Sequence, residues 1–348
     1  MSSKNILLVF GGASSEHHVS ITSANSVLQN VEGHNIIPLY ITTDGRWLLY
    51  EGTPANLLNI DWERQGVPAM LSPDSSVRGL VRLVGNKAKV IPIDVVLPML
   101  HGKNGEDGTI QGLCQLAKIP VIGCGTLSSA VAMDKIMTKY VARALKIPHA
   151  PFISFSFFEL LADKEMFTKI GRRIGYPCFV KPSAGGSSCG ITKANNRKEL
   201  EAAIMRAIKH DMRVIVEKCI VGREIEVAIL GDGNAAKCSA LGEIIPAGDF
   251  YDFDAKYKNP ESKIITPAKV DNEEEIKGYA MQIFNALNCT GLARVDFFVT
   301  DGGKIYFNEI NTMPGFTPVS MFPRLWALMD LDIDDIIEVL LRVALPAK

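Results

Sequence analysis

Five apolar residues, Ile6 to Phe10, run without interruption into Gly11 and Gly12, and the following "HHVSITSANSVLQNV" sets its apolar positions at helical spacing. A buried strand, a glycine turn and an amphipathic helix are expected. "NIIPLYIT" reads as a second strand, and "DVVLPMLHGKNGEDGTIQGLCQLAKIPVIG" repeats the order strand, Gly-rich loop, helix, strand. This alternation predicts a parallel sheet covered by helices. Residues 44–90 keep no steady period and read as an inserted, less regular stretch.

From about Gly125 the pattern changes. Helices are expected over 127–133 and 134–145, then a strand at "APFISF", a helix, and a strand at "YPCFVKP". "SAGGSSCG" leads into the strand "ITKA" and the helix "RKELEAAIMRAIKHD". From Arg213 strands dominate until a helix over 273–287, and the chain ends on a hairpin and the helix "DIDDIIEVLLRVAL". The aspartates before that last helix lack the glycine of a calcium loop and read as a charged helix N-terminus.

The hairpin carries the sharpest chemistry. "GLARVDFFVT" and "YFNEINTMPG" flank a turn at "DGG". In a strand, residues two apart share a face. That groups Arg294, Asp296 and Phe298 on one strand and Phe307, Glu309 and Asn311 on the other. Val295, Phe297, Ile305 and Ile310 take the opposite face. Two acids and an amide supply the oxygen donors that hard cations prefer; the same face also suits a solvated surface hairpin.

Four Gly-rich or polar loops add candidates. "FGGASSEHHVS" lies at a strand-to-helix turn, where backbone N–H groups can hold an anion, but it lacks the dinucleotide fingerprint. Glu16 there suits either the helix dipole or a substrate ammonium. "HGKNGEDGT" lies at the carboxyl end of a strand, where open α/β sheets bind ligands, and His101 is structural or ligand-facing. In "FVKPSAGGSSCGITKA", Lys181 precedes the glycines, so this is no Walker A loop; it is an ordinary hairpin or an anion-binding concavity. The long polar stretch 247–269, with Phe250, Tyr251, Phe253 and Tyr257 to pack it, reads as a lid.

Composition narrows the class. At 348 residues two or three domains are expected. A net charge of −1 with no basic run argues against a nucleic-acid partner. Seven cysteines with no C-x-x-C pair exclude zinc-finger and disulfide-framework readings and fit a reducing cytoplasm. No run of 18 apolar residues occurs, so a soluble, unsecreted protein without a membrane partner is expected.

Taken in chain order, "GGASSEHHVS", "LHGKNGEDGTIQG", "MDKIMTKYVA", "FVKPSAGGSSCGI", "AKY", "RVDFFV" and "NEINTMPGFTPVS" resemble the D-alanine–D-alanine ligases, which are ATP-grasp enzymes. The resemblance spans essentially the whole chain. It implies an α/β and α+β fold class: a Rossmann-like N-terminal domain over 1–123, then a two-part ATP-grasp fold. The central part, 124–213, carries the Gly/Ser loop, and the C-terminal part, 214–348, carries the lid loop and metal site. The implied reaction phosphorylates the carboxylate of one D-alanine with ATP, and the amine of a second D-alanine attacks the acyl phosphate.

The resemblance also implies roles. Asp296, Glu309 and Asn311 hold two Mg²⁺ (or Mn²⁺) ions. Arg294 and the Gly315 N–H stabilise the transferring group and the oxyanion. Lys135, Lys181 and Lys256 contact ATP phosphates. Glu217, Lys218 and Ile220 line the adenine pocket, Glu224 takes the ribose, and Phe250 belongs to the ATP site. Glu16 holds the first D-alanine's ammonium and joins Ser187 and Tyr257 to tie the lid. Ser320 meets the second substrate's carboxylate, and His101 helps orient the first. Met321 offers an apolar side chain beside Ser320, which suits D-alanine over D-serine. The implied partners are ATP and D-alanine, with a homodimer as the assembly. D-serine- or D-lactate-forming ligases of the vancomycin-resistance type, and a nucleotide binder without ligase activity, are the alternatives.

Overall fold

The computed structural model describes residues 2–52, 55–85, 87–186, 189–246 and 263–346. Three sheets organise them. The first has seven strands: β1 (Asn5–Gly11), β2 (Asn35–Ile41), β3 (Trp47–Leu49), β4 (Val67–Leu71), β5 (Gly79–Val84), β6 (Lys87–Pro92) and β7 (Val95–Met99), in the order β6-β5-β4-β3-β2-β1-β7. Central β1 pairs parallel with β2 and β7. Its residues alternate between the two faces. Ile6, Leu8 and Phe10 pack with Ala24 and Val27 of α1 (His17–Asn30), whereas Leu7 and Val9 join the layer of Ile110 and Cys114. Burial on both faces explains the unbroken apolar run.

Residues 44–90 depart from the irregular stretch expected of them. They hold β3 to β6 and the short helix α2 (Trp62–Gln65), and they extend the parallel core as an antiparallel flank. Strands of three to six residues are too short to declare a period in sequence.

After α3 (Thr109–Ala117) come α4 (Thr126–Met133) and α5 (Lys135–Ala144). The Asp134 carboxylate accepts from the N–H groups of Ile136 and Met137 and so starts α5. The second sheet holds β8 (Phe152–Ser156), β9 (Cys178–Pro182), β10 (Thr192–Ala194) and β11 (Arg213–Lys218), in the order β10-β9-β11-β8. Between its strands lie α6 (Phe157–Ala162), α7 (Met166–Arg173) and α8 (Arg197–Ala207). Cys178, Val180, Val214 and Val216 face these helices, which leaves Lys181 and Glu217 on the other side of the sheet.

The third sheet holds β12 (Arg223–Asp232), β13 (Lys237–Ile245), β14 (Lys263–Ile265), β15 (Thr290–Val299) and β16 (Ile305–Asn311), in the order β14-β13-β12-β15-β16. Helix α9 (Glu273–Ala286) packs on one face, with Ile276, Ile283 and Phe284 against Phe297 and Phe307. α10 (Met321–Ala327) and α11 (Ile333–Ala344) complete the core that also receives α1. Asp332 caps α11 in a reciprocal capping box with Asp335. The lid expected over 247–269 lies, for 247–262, outside the described residues.

One face assignment needs correction. Asp296 pairs with Glu309 but Phe297 pairs with Phe307, so β16 has a bulge between them. The extra residue, Asn308, puts Phe307 on the apolar face while Glu309 and Asn311 stay on the polar one. Phe307 therefore does not share a face with the two polar residues.

Candidate active site

On the polar face of the third sheet the register sets Glu226, Asp296 and Glu309 side by side on three neighbouring strands, with Arg294 opposite Asn311. The Arg294 guanidinium donates to both Asp296 oxygens, Nε to Oδ1 and Nη2 to Oδ2, each at 2.8 Å. Its Nε also stands 3.1 Å from Glu226 Oε2. Burial opposes its charge, but Asp296, Glu226 and Glu309 outweigh that and hold Arg294 protonated well above the usual range. The Asn311 amide oxygen accepts from the Met313 N–H at 2.9 Å and fixes the turn that follows. Among the described residues no group of three or more His, Cys, Asp or Glu encloses a metal position. Asp296, Glu309 and Asn311 nonetheless form a hard-oxygen donor set on one face, which fits a divalent cation such as Mg²⁺.

Lysines from the second sheet and α5 meet this face. Lys135 donates to the Gly185 carbonyl at 2.7 Å and lies 3.4 Å from Glu309 Oε2. Lys181 lies 2.7 Å from Glu217 Oε2 and reaches Asn308 Oδ1 at 3.5 Å. Burial disfavours the Lys181 charge, but Glu217 and Glu309 outweigh it and raise its pKa. Glu217 is 3% exposed. Burial alone would raise its pKa, yet Lys139 and Lys181 hold it down at about 2. Lys218 is exposed, and Ile220 is half-buried just after β11. Glu224 pairs with Phe298 on β15, two residues before Glu226.

The loops of the first sheet close the third side. Glu16 stands at the N-cap position of α1, and its carboxylate lies against two glycines: a Cβ added at Gly186 would stand 2.8 Å from Glu16 Oε2, and one at Gly102 would stand 3.0 Å away. His101 is buried, with Nδ1 3.0 Å from the Met313 carbonyl and Nε2 3.2 Å from Ser23 Oγ. Burial would lower its pKa, but Glu106, Glu16 and the Met313 carbonyl outweigh that and raise it. Ser23 Oγ also accepts from the Phe316 N–H at 3.2 Å, so α1 grips the turn that carries Gly315. Ser320 precedes α10, and its Oγ lies 2.7 Å from Thr317 Oγ1. Met321 is buried in the core against Gly242.

The "D-ala D-ala ligase N-terminus" family matches residues 5–124, and the "D-ala D-ala ligase C-terminus" family matches residues 141–342. The chain belongs to the D-alanine–D-alanine ligase family. Curated D-alanine–D-alanine ligases from Caldicellulosiruptor bescii and Clostridium acetobutylicum are each 44% identical to it, over 99% and 98% of this chain and 96% and 98% of theirs. Among solved structures, the VanG D-Ala:D-Ser ligase from Enterococcus faecalis superposes with a TM-score of 0.89 at 39% identity, covering 99% of this chain and 100% of that one. The D-alanine–D-alanine ligase from Coxiella burnetii gives 0.85 at 31% identity, covering 99% and 94%. The mixed α/β fold with several sheets is the fold of these ligases.

Within this ligase fold, Glu16, His101, Lys135, Lys181, Glu217, Arg294, Asp296, Glu309, Asn311, Gly315 and Ser320 all belong to the three walls just described. Ser187, Phe250, Lys256 and Tyr257 lie outside the described residues. Three residues of these walls escaped the sequence reading. Lys139 sits four residues after Lys135, on the same face of α5. Glu226 follows Glu224 at strand spacing. Glu106 lies 3.6 Å from His101 in the same Gly-rich loop, and burial first, then Glu16, keeps its pKa raised. No helix among the described residues is long and apolar enough to cross a membrane.

Proposed function

We propose that the enzyme joins two D-alanines into D-alanyl-D-alanine and converts ATP to ADP and phosphate, as a step in peptidoglycan precursor synthesis. The observation that carries this is the meeting of two opposite sets of charge: Lys135 of α5 stands 3.4 Å from Glu309 on the acid face that also holds Arg294 and Asp296. Phosphoryl transfer between two anions needs positioning and charge neutralisation more than covalent help, and this junction offers both.

Each side chain then has a task. Lys135 and Lys181 hold phosphate oxygens. Glu217, kept ionised, accepts a hydrogen bond from the base. Glu16, against Gly102 and Gly186, receives the first D-alanine's ammonium, and His101 orients that substrate. Arg294 and the Gly315 N–H stabilise the oxyanion when the second amine attacks. A donor of that kind is worth about 10²–10³ in turnover. Asp296, Glu309 and Asn311 would hold two Mg²⁺ or Mn²⁺ ions, which neutralise phosphate charge when bound. The enzyme acts in the cytoplasm as a homodimer in this reading.

D-alanine as the acceptor rests on the likeness to the curated D-alanine–D-alanine ligases. The Met321 side chain does not bear on the choice, because it is buried in the core with Phe322 and Leu325 over Gly242 rather than offered to a substrate beside Ser320. The likeness to the VanG D-Ala:D-Ser ligase makes D-serine the second reading. The test is ADP release with D-alanine alone and with D-alanine plus equal D-serine or D-lactate, with products identified by mass. D-alanyl-D-alanine is expected to dominate. A mixed dipeptide or depsipeptide as main product overturns the acceptor assignment, and no D-alanine-dependent ADP overturns the ligase.

A further inference from the structure

Lys139 is 2% exposed, among the largest fully buried side chains of the protein, and the roles assigned above do not use it. Its Nζ donates to the Phe307 carbonyl at 2.9 Å and lies 3.1 Å from Glu217 Oε1. The Phe307 ring lies beneath it, with the centroid 5.5 Å away. The carbonyl is open to Lys139 because β16 is the edge strand of its sheet, and the Phe307 N–H likewise turns outward to the Pro148 carbonyl at 2.8 Å. One ammonium thus joins a carboxylate of the second sheet to the strand that carries Glu309 and Asn311.

Glu217 itself is asymmetric. Oε2 is taken by Lys181 at 2.7 Å. Oε1 is buried and has no hydrogen-bond partner among the described residues, with the Lys139 ammonium 3.1 Å away as its ion-pair neighbour. A carboxylate so held is an acceptor only. It favours a base that presents an N–H donor and disfavours one that lacks it.

We infer that Lys139 is a positioning residue for nucleobase selection: it fixes the Glu217 carboxylate so that Oε1 serves the exocyclic amine of adenine. The inference rests on ATP being the substrate at this site. Burying a lysine is costly, and Burial lowers the Lys139 pKa from its ordinary value while Glu217 opposes that shift. The group retained at this cost sits where it sets one oxygen.

The test compares ATP with purine riboside triphosphate, which lacks the amine, in D-alanine-dependent nucleotide turnover. The wild type should favour ATP in kcat/KM by about ten- to a hundredfold. Lys139→Met should lower kcat/KM for ATP about tenfold or more, mostly through KM, and leave the analogue within about twofold, so that the ratio collapses. Lys139→Arg, which keeps the charge, should keep the ratio. An equal loss with both nucleotides, or an unchanged ratio, overturns the inference. If Lys139→Met does not fold, Lys139→Gln keeps a donor for the Phe307 carbonyl without the charge; a fallen ratio supports the inference and a retained one overturns it. A wild type that turns over no nucleotide with D-alanine would remove the ligase reading instead, and calorimetric affinities for the two triphosphates would then decide on Lys139 by the same ratio.

Discussion

Arg294 holds Asp296 through two parallel hydrogen bonds of 2.8 Å, so the cation assigned to the oxyanion and a carboxylate assigned to the metal are each other's partners in this state. Loading the site with a divalent cation changes the charge that Asp296 sees, and Glu226, 3.1 Å from the same guanidinium, remains as its second anchor.

Arg294→Ala should therefore destabilise the protein beyond its loss of turnover. It removes the Arg294 charge that Asp296 and Glu226, both buried, now face. Breaking a buried pair from one side costs about 3–5 kcal/mol. Urea unfolding without nucleotide measures it, and millimolar Mg²⁺ should recover part of the loss in the variant. A midpoint equal to that of the wild type would contradict the pairing.

Glu309→Gln should fold and lose at least about 10²-fold in turnover, on the scale of removing a charge-stabilising group. The amide is a poorer ligand for a hard cation, and Lys135 loses the partner at 3.4 Å. Near-normal turnover at saturating Mg²⁺ would exclude Glu309 from the metal site.

The acid limb of stability should carry a Glu217 contribution. Its carboxyl is held at about 2 in the folded protein against an ordinary 4.5. A depressed folded-state pKa means that the unfolded chain binds the proton more readily. The stabilisation is complete above pH 4.5 and is lost as pH falls toward about 2. Glu217→Gln should flatten the wild-type decline in that window when melting temperature is followed against pH. Parallel curves would show that Glu217 is not held by the two lysines.

Gly186→Ala should raise KM for D-alanine about tenfold with little change in KM for ATP, a loss of the size of one misplaced hydrogen bond to a charged group. The added methyl would stand 2.8 Å from Glu16 Oε2 and push that carboxylate aside. Initial rates at varied D-alanine check it; an unchanged KM would detach Glu16 from the substrate ammonium.

Much of this was legible in the chain itself. The β15–β16 hairpin, its turn and its acid face follow from alternation in "GLARVDFFVT" and "YFNEINTMPG". The bulge was not, because "IYFNEIN" alternates well enough as a regular strand, and only pairing with β15 exposes the extra residue. The antiparallel flank of the first sheet hid in strands too short for a period. Helix α10 was missed because Pro323 reads as a breaker, although in a first helical turn it removes no hydrogen bond. Lys139 had a signal, four residues beyond Lys135 in an amphipathic helix, but its partners come from Glu217 and Phe307, far away in sequence.

The bulge at Asn308 also sets the phase of everything after it. Upstream of it, Ile305 and Phe307 point to the oily side; downstream, Ile310 does, and the alternation resumes one step out of time. Flattening that bulge with Asn308 kept would do more than straighten a strand. It would rotate the remainder by half a pleat, sending Glu309 and Asn311 toward Phe297 and bringing Ile310 into the polar cleft. Phe307 and Glu309 keep to opposite faces with a residue between them only because that residue bulges out of the ladder.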